Sequence, residues 1–419
     1  MFQKLFKYTL IALFLTQTSF AQIVIDGKEV ESKPDFHLIT QQNFSVITGA
    51  EQPDLFISKL KNNRIGVITN QTGVVPVKNT NKSTVEYLST VDFLIENGII
   101  VKKIFSPEHG FRGNVDAGET VKSGKDTKTG LPIISLYGKN KKPSKEQIAD
   151  LDIIVFDIQD VGARFYTYIS TLHYIMESAA ENNKKVIVFD RPNPNGHYID
   201  GPVLEKEFKS FVGMHPVPIV YGMTIGEYAQ MINGEKWLKN EVQCDLEIIP
   251  LKNYTHQTRY SLPIKPSPNL PNDHSINLYP STCFFEAFNG SEGRGTDLPF
   301  QVYGSPYLKN MPYQFIPKPN QGAKNPRFNG QICHGEDLSN TPLLSQISLK
   351  WLLNAYKNYK SSEPFFIKNS GQFWIDKLAG TDELRKQIEQ GWTEEKIKET
   401  WQEDLDGFKI IRKKYLLYP

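Results

Sequence analysis

Three side chains capable of acid–base or charge chemistry lie within five positions in the segment FSPEHGFRG, residues 105–113. They are Glu108, His109 and Arg112. The segment follows an apolar run, which places them at the end of a buried strand. A carboxyl group held between a proline and a His-Gly pair is well suited to proton transfer, so Glu108 is the first catalytic candidate. His109 either transfers a proton itself or orients a neighbouring group by a hydrogen bond.

Polar residues also follow three other apolar runs, in the segments ITNQTGV, DIQDVGAR and FDRPNPNG. The candidates for site residues there are Asn70, Asp160, Arg164, Arg191 and Asn193. The carboxyl ends of parallel strands gather at one edge of a sheet, where ligands bind. Each aspartate could instead form a turn, and each arginine could only pair with such a carboxylate.

The strands expected to position these residues are short, β-branched apolar runs of the kind buried in parallel sheets. They lie at 65–70, 101–106, 132–136, 152–158 and 185–190. Helix-like segments occur between several of them, at 167–183, at 224–233, and in a segment opening at 83–84. This alternation predicts an α/β fold with a Rossmann-like, doubly wound, mostly parallel sheet.

The amino-acid composition of the chain changes near residue 262, where a proline-rich stretch begins. Helical patterns return at 343–359 and 382–415. We therefore predict a Rossmann-like catalytic domain over 53–260 and a smaller α+β C-terminal domain over 261–419. The segment SEGRGTD contains Glu292, Arg294 and Asp297 among several glycines, and Glu286 lies just before it. It is expected to be a loop reaching over the first domain's edge, or else a hairpin tip with solvated charges.

The first 21 residues have the pattern of a secretory signal peptide, with Lys4 and Lys7 before an apolar stretch and Ser19-Phe20-Ala21 at the cleavage site. The alternative, an anchor helix, is disfavoured because the apolar stretch is shorter than the ~20 residues that a span requires. Residues 22–52 are expected to form an extension with little core. The mature protein is thus predicted to be periplasmic or secreted, without stable membrane insertion.

Composition and missing motifs exclude several classes of function. A net charge of +2 favours neither nucleic acid nor an anionic membrane as partner. Three cysteines without paired spacing suggest buried free thiols rather than a disulfide framework. No phosphate-binding glycine motif, nucleophile elbow or zinc-binding histidine spacing occurs, so we predict no cofactor and no metal. What remains is carboxylates, arginines, amides and aromatics, the side chains that handle sugars.

The chain resembles the NamZ-type exo-β-N-acetylmuramidases, glycoside hydrolase family one hundred and seventy-one, formerly a domain of unknown function. The resemblance rests on GVITNQTGV, FSPEHGFRG, DIQDVGARFYTYISTL, VFDRPNPNG, YGMTIGEYAQMING, PSPNLP and YPSTCFFEAFNGSEGRGTDLPF, in order from about residue 50 to the C-terminus. It implies hydrolysis of β-linked N-acetylmuramic acid from the non-reducing end of peptidoglycan fragments. It also implies that Glu108 is catalytic, with His109 beside it.

Roles for the other candidates follow from the needs of glycoside hydrolysis. Two carboxyl groups usually flank the bond, so Glu108 is expected to be the general acid, with Asp160 as its partner or Glu292 as the rival. The substrate's acetamido group could instead attack, oriented by an aspartate. The lactyl carboxylate should bind an arginine, with Arg164, Arg191 and Arg294 considered in that order. Asn70 and Asn193 are further binding candidates, and Tyr168, Tyr166 or Phe165 could stack on the sugar.

Two other classes of function stay open from the residues alone. A periplasmic binding protein would capture muropeptides or sugars in a cleft between two similar α/β lobes, whereas only the first half shows strand–helix alternation. An amidase or esterase acting on cell-wall material would need a nucleophile elbow or zinc ligands. Hydrolysis of a chromogenic β-N-acetylmuramide distinguishes the three possibilities.

Overall fold

The computed structural model describes residues 24–25, 28–29, 45–77, 85–108, 110–112 and 123–419. The predicted signal peptide and His109 lie outside the described residues. Near the N-terminus, β1 (Val24–Ile25) and β2 (Lys28–Glu29) form an antiparallel pair. Residues 45–419 form one compact unit, which holds everything described below.

The strands of this unit are short, with two to seven residues each. In chain order they are β3 (Arg64–Thr69), β4 (Val74–Val77), β5 (Glu86–Ser89), β6 (Ile100–Ser106), β7 (Gly124–Lys125), β8 (Pro132–Ser135), β9 (Ile153–Asp157), β10 (Lys185–Phe189), β11 (Asp245–Ile249), β12 (Val302–Ser305), β13 (Tyr313–Phe315), β14 (Cys333–Asp337), β15 (Lys368–Asn369) and β16 (Gln372–Phe373).

Helices lie on both faces of the sheet and recur through the C-terminal part. They are α1 (Pro53–Leu60), α2 (Thr90–Glu96), α3 (Lys145–Ile148), α4 (Tyr168–Glu181), α5 (Ile225–Gly234), α6 (Asp273–Thr282), α7 (Lys350–Asn358), α8 (Trp374–Ala379), α9 (Glu383–Glu389), α10 (Glu394–Glu399) and α11 (Gln402–Arg412). Within the part of the chain that the structure describes, none of these helices has the length and apolar character needed to cross a membrane.

The central sheet has seven strands in the order β11-β10-β9-β3-β6-β8-β7. Every neighbouring pair is parallel except β7 and β8, which are antiparallel at one edge. The chain runs outward from β3 to β8 on one side and then from β9 to β11 on the other. This reversal is the topology of a Rossmann-like sheet, and it confirms the predicted fold class and all five predicted strands.

Alternate residues of the central strands pack against helices on opposite faces, which is why β9 is apolar up to its last residue, Asp157. In β9, Ile154 and Phe156 join the core that contains α4 and α5, whereas Ile153 and Val155 join the core that contains α1 and α2. The first core continues without a break into the C-terminal part. The two predicted domains are therefore packed together through shared apolar side chains.

The segment 85–89 differs from the helix predicted to open at 83–84. Residues 86–89 form β5, which pairs with β4, and α2 begins only at Thr90. The Ser89 hydroxyl accepts a hydrogen bond from the backbone N–H of Asp92, so Ser89 is the helix cap. Val85 is 62 % exposed, so its apolar character did not mark a buried helix face.

Two further differences from the predictions concern the start of the compact unit and its C-terminal helices. Residues 45–52, predicted as part of a loose extension, pack on the sheet: Ala50 is fully buried, and the N–H of Gly49 donates to the carbonyl of Asp190 at 2.9 Å. The helical segment predicted over 382–415 is three helices, interrupted where Gly391 adopts a φ of 75° and Thr393 caps α10.

The three cysteines, Cys244, Cys283 and Cys333, are all buried and unpaired, which confirms the expectation of free thiols.

Candidate active site

Glu108 lies in the turn after β6 and is held by hydroxyl groups from two other strand exits. The phenol of Tyr137, just after β8, donates to Oε1 at 3.0 Å. The Thr167 hydroxyl, between β9 and α4, donates to Oε2 at 3.0 Å. Both carboxylate oxygens are therefore fixed by groups from different elements, as a catalytic carboxyl group requires.

The two donors are themselves constrained to donate. Thr167 is the N-cap residue of α4, but its side chain makes no capping hydrogen bond and is directed to Glu108 instead. Burial raises the pKa of Tyr137 well above its usual range, and the adjacent Glu108 charge acts in the same direction. The phenol therefore stays protonated.

Glu108 faces a cavity of about 260 Å³, here called the aromatic cavity. Its aromatic lining includes Tyr137, Tyr166, Phe211, Tyr279, Phe300 and Trp374. Phe165, one of the predicted stacking residues, also lines it. Aromatic walls around a few polar groups are typical of a small-molecule site.

A second carboxyl group, Glu286, also lines the aromatic cavity. It lies in the 3-10 turn Cys283–Ala287, which directly continues α6. That helix begins at the capping box formed by Asn272 and Ser275 and contains Pro280, so its position was hidden in a stretch whose prolines and glycines suggested loops. Burial raises the pKa of Glu286, and the Glu292 and Glu108 carboxylates add to the effect against Arg294 and Arg327.

Arg294 is the cation that faces Glu286. Its Nη2 donates to Glu286 Oε1 at 2.9 Å, and its guanidinium lies 5.0 Å from the centre of the Phe300 ring. Gly293 and Gly295 have φ values of 84° and 80°, and a Cβ on Gly293 would lie 2.6 Å from the Leu298 carbonyl oxygen. Only glycine fits this path, so the glycines of SEGRGTD serve to present Arg294.

A second cavity of about 440 Å³, here called the cationic cavity, adjoins the first. The side chains that line both cavities are Glu286, Arg294 and Trp374. Glu292 lines only the cationic cavity, and its Oε2 accepts from Arg327 Nη2 at 2.7 Å. Although burial opposes it, the pairing with Arg327 and Arg294 lowers the pKa of Glu292.

Asp160, the predicted second carboxylate, does not line either cavity. It is 6 % exposed, and its Oδ2 accepts hydrogen bonds from the Gly162 N–H and the Tyr221 phenol. Burial raises its pKa to about 6, against these hydrogen bonds. The carboxyl group that the structure brings to the cavity of Glu108 is Glu286 instead.

The raised pKa of Asp160 leads to a stability prediction. Its contribution to the free energy of unfolding is present below the unfolded-state pKa near 4 and is lost as pH rises through about 6. The Asp160→Asn variant should therefore gain stability relative to wild type between pH 4 and pH 8, by about 3 kcal/mol. Urea unfolding at pH 4 and at pH 8 measures the difference in free energy of unfolding between the variant and wild type, with Asp297→Asn, at an exposed position, as control. If this difference is the same at both pH values, the prediction is wrong.

Arg164, first in the predicted order of lactyl-binding arginines, is enclosed by backbone carbonyls. Its Nη1 donates to the carbonyls of Pro202 and Val217, and its Nη2 to those of Leu378 and Ala379, at 2.5 to 3.1 Å. Its side chain is fully buried, and burial lowers its pKa to about 9. We reassign Arg164 to a structural role, because it joins the sheet's edge to α8.

Arg191, the second arginine, forms a buried ion pair with Asp157. Its Nε and Nη2 donate to the two carboxylate oxygens at 2.5 and 2.9 Å, and Nη2 also donates to the Val74 carbonyl. The Thr90 hydroxyl donates to the same carboxylate. This is the structural pairing that the sequence left open for Arg191. It connects the end of β9, the turn after β10, the start of β4 and the start of α2.

The remaining predicted binding residues are also satisfied inside the protein. Asn70 donates to the Tyr168 phenol at 2.7 Å, and both side chains are about 1 % exposed. Asn193 donates to the Met223 carbonyl at 2.8 Å and accepts from the N–H of Asn195. Of the predicted residues that the structure describes, those lining the aromatic cavity are Glu108, Arg294, Phe165 and Tyr166, whereas Glu292 lines the cationic cavity beside it.

Several cavity residues were not predicted as site residues, namely Glu286, Tyr137, Thr167, Phe211, Tyr279 and Trp374. Two of them had a signal in the sequence. Tyr137 follows the predicted strand at 132–136, and Glu286 precedes SEGRGTD by a few residues. Trp374 had none, because it comes from a helix far away in the chain.

Family models match nearly all of the described compact unit. The N-terminal model of the exo-β-N-acetylmuramidase NamZ matches residues 65–274, and the C-terminal model of the same family matches residues 277–418. The peptidoglycan β-N-acetylmuramidase NamZ of Bacillus subtilis (strain 168) is 40% identical over 408 residues, which cover 92% of this chain and 95% of the relative.

Two crystal structures of DUF1343 family proteins from Bacteroides fragilis NCTC 9343 have the same fold. One is 48% identical with a TM-score of 0.79, covering 90% of this chain and 99% of that one. The other is 31% identical with a TM-score of 0.73, covering 89% and 99%. With both family models matched in order and a curated relative aligned over most of both chains, the protein belongs to the NamZ family of exo-β-N-acetylmuramidases, which are glycosidases.

Proposed function

We propose that this glycosidase releases β-linked N-acetylmuramic acid from the non-reducing end of peptidoglycan fragments, with Glu108 as the general acid. The single observation that carries the assignment of Glu108 is its place in the aromatic cavity, with both oxygens held by Tyr137 and Thr167. A general acid must reach the leaving oxygen of the bound sugar, and a fixed carboxyl group in an aromatic site does so at little entropic cost.

Glu286 is our candidate for the second carboxyl group, in place of Asp160. Glu286 and Glu108 line the same cavity. The charge of Glu108 contributes to the raised pKa of Glu286, so the two carboxyl groups interact electrostatically. Paired carboxyl groups in different environments are the usual arrangement for glycoside hydrolysis. Glu286 would act on the anomeric centre, or orient the acetamido group if that group attacks.

Replacing Glu286 with glutamine should lower kcat on a β-N-acetylmuramide by about 10²-fold, because the carboxylate charge near the anomeric centre is lost. Since the pKa of Glu286 is raised, the acidic limb of the wild-type pH profile should lie above the range of an ordinary glutamate. Initial rates between pH 4 and pH 8 measure both effects. A Glu286→Gln variant with wild-type kcat would exclude Glu286 from the chemistry.

Arg294 is our candidate for binding the lactyl carboxylate, which distinguishes muramic acid from glucosamine. Arg164 and Arg191 are buried and hydrogen-bonded inside the protein, whereas Arg294 lines both cavities. A guanidinium can bind a carboxylate with two parallel hydrogen bonds. Arg294 also contacts Glu286, so one residue would link recognition of the lactyl group to the catalytic carboxyl group.

The activity is tested directly with a pair of chromogenic substrates, a β-N-acetylmuramide and the matching β-N-acetylglucosaminide. We expect the purified protein to hydrolyse the muramide and to discriminate strongly against the glucosaminide, since that sugar lacks the carboxylate that Arg294 would bind. Oligosaccharides labelled at the reducing end should lose one muramoyl residue from the opposite end. Release of internal fragments, or binding without hydrolysis, would contradict the proposal.

We also propose that the protein is exported to the periplasm or secreted. The support is the pattern of residues 1–21, a basic start followed by an apolar stretch and a small-x-small site. Export would place the enzyme where its peptidoglycan substrate lies. Mass spectrometry of the protein from the expressing cell should find a mature N-terminus after Ala21.

A further inference from the structure

Arg112 is the charged side chain of the segment FSPEHGFRG that the proposed chemistry leaves without a role. It is 39 % exposed, and the described residues that line the aromatic and cationic cavities do not include it. Its guanidinium is nevertheless held in one place. Nε donates to Asp126 Oδ1 at 3.2 Å, and Nη2 lies 2.9 and 3.0 Å from the two carboxylate oxygens. Such a fork of hydrogen bonds fixes the orientation of a guanidinium.

The acceptor of these hydrogen bonds, Asp126, is rigidly held as well. It is 3 % exposed, and its Oδ2 also accepts hydrogen bonds from the N–H and the hydroxyl of Thr129, at 3.0 and 2.8 Å. Although burial opposes it, the hydrogen bonds from Thr129 and Arg112 lower the pKa of Asp126. The carboxylate therefore stays charged near neutral pH, and the ion pair with Arg112 stays formed.

The chain between Glu108 and Arg112 is short and constrained. The N–H of Gly110 donates to the carbonyl of Pro107 at 3.2 Å, and Gly110 has a φ of 77°, which closes a tight turn. Phe111 is 4 % exposed and belongs to the core that contains α1 and α2, and the Arg112 guanidinium lies 4.3 Å from the centre of its ring. A shift of Arg112 would therefore move the turn that carries Glu108.

The same ion pair is connected to a hydroxyl group that holds Glu108. Asp126 follows β7, and its N–H donates to the carbonyl of Leu131, just before β8, at 2.9 Å. β8 leads to Tyr137, whose phenol donates to Glu108. Arg112 thus connects the turn that carries the general acid to the hairpin that carries one of its hydrogen-bond donors.

We propose that Arg112 is a positioning residue for the general acid, and that its ion pair with Asp126 sets the distance between Glu108 and the leaving oxygen. This role rests on the proposed function and adds a residue to it. A carboxyl group that transfers a proton must lie within hydrogen-bond reach of the oxygen, and a displacement of about 1 Å can cost about 10²-fold in rate. An ion pair at the far end of the turn would prevent such a displacement.

The test compares Arg112→Met with wild type on a muramoyl disaccharide and on a chromogenic aryl muramide. On the disaccharide, kcat should fall about tenfold, because its sugar leaving group requires a proton. KM should stay within about twofold of wild type, since the lining of the aromatic cavity is unchanged. On the aryl muramide, whose phenolate leaves without full protonation, kcat should fall less than about threefold. Arg112→Lys should recover part of the lost rate, because an ammonium group can still pair with Asp126.

A second comparison measures whether Arg112 acts through Glu108. In a Glu108→Gln background, Arg112→Met should cause no further loss of kcat on the disaccharide, because the proton donor is already gone. A general loss of structure would lower the residual rate by the same factor as in wild type. Urea unfolding of each variant measures its stability separately.

The matched control breaks a pair of the same geometry at the opposite end of the sheet. Arg64, the first residue of β3, donates from Nε and Nη2 to Asp152 at 2.9 and 2.7 Å. Arg64→Met should keep wild-type kcat on both substrates. If Arg112→Met does not fold, Asp126→Asn takes its place, since it removes the charge and keeps one acceptor oxygen. The same difference between the two substrates is expected for it.

Three results would show that Arg112 does not position Glu108. They are wild-type kcat of Arg112→Met on the disaccharide, an equal fall of kcat on both substrates, and a loss that persists in the Glu108→Gln background. Failure of wild type to hydrolyse either muramide is a separate outcome, which overturns the proposed function and the role of Arg112 with it.

Discussion

Replacing Glu108 with glutamine should reduce kcat on a muramoyl disaccharide by about 10²-fold or more, because the amide cannot deliver a proton to the leaving oxygen. Glutamine has nearly the same shape and can still bond to the Tyr137 and Thr167 hydroxyls, so the fold should be retained. The loss should be smaller on a chromogenic aryl muramide, whose phenolate leaves without full protonation. Steady-state rates on both substrates test this.

A matched control distinguishes loss of the proton donor from loss of a buried hydrogen bond. Glu336 accepts a hydrogen bond from the Tyr303 phenol at 2.8 Å, much as Glu108 does from Tyr137, but lies outside both cavities. Glu336→Gln should retain near wild-type kcat on both substrates. If Glu108→Gln retains more than about a third of wild-type kcat on the disaccharide, Glu108 is not the general acid.

The sheet and its functional edge could be predicted because their signals are local. Each of the five predicted strands is a short run rich in apolar residues, and Glu108 lies two residues after the end of its strand. Strands that alternate with helices along the chain run parallel, so their carboxyl ends were expected at the same edge of the sheet. Nothing beyond neighbouring residues was needed for these inferences.

The sequence could not show which strand exits stay open to a ligand, because segments that are distant in the chain pack against some of them. The Tyr418 phenol, almost at the C-terminus, donates to Asp190, and the Tyr254 phenol contacts the backbone of Asn193. The carbonyl of Pro266 accepts from Tyr166. Asp160, Arg191 and Asn193 are polar because they anchor buried segments, a use that resembles a site in sequence.

The second carboxyl group of the aromatic cavity was not predicted, for a related reason. Asp160 lies at a strand exit, where reasoning from topology places functional groups, whereas Glu286 follows a helix in a stretch whose prolines and glycines suggested loops. The capping box at Asn272 was the available signal for that helix. Arg294 was identified in the same stretch because three glycines within six positions mark an unusual backbone path.

Replacing Asp157 with alanine should lower the free energy of unfolding by about 3–5 kcal/mol, because it leaves the buried guanidinium of Arg191 without its counter-charge. Arg191 is only 4 % exposed and Asp157 is fully buried, so water cannot compensate for the lost partner. The same change also removes the acceptor of the Thr90 hydroxyl at the start of α2. Urea denaturation monitored by fluorescence and by circular dichroism measures the effect.

An exposed pair of the same geometry provides the comparison. Asp152 accepts hydrogen bonds from Arg64 Nε and Nη2 at 2.9 and 2.7 Å. The Arg64 and Asp152 side chains are 48 % and 35 % exposed, so solvent screens the pair and Asp152→Ala should cost far less. The double variant Asp157→Ala/Arg191→Met should be more stable than Asp157→Ala alone, since it removes the unpaired charge. Two outcomes would show that the buried pair does not hold these strand ends together. One is that Asp157→Ala is no more destabilising than Asp152→Ala. The other is that the double variant loses as much stability as Asp157→Ala and Arg191→Met lose in sum.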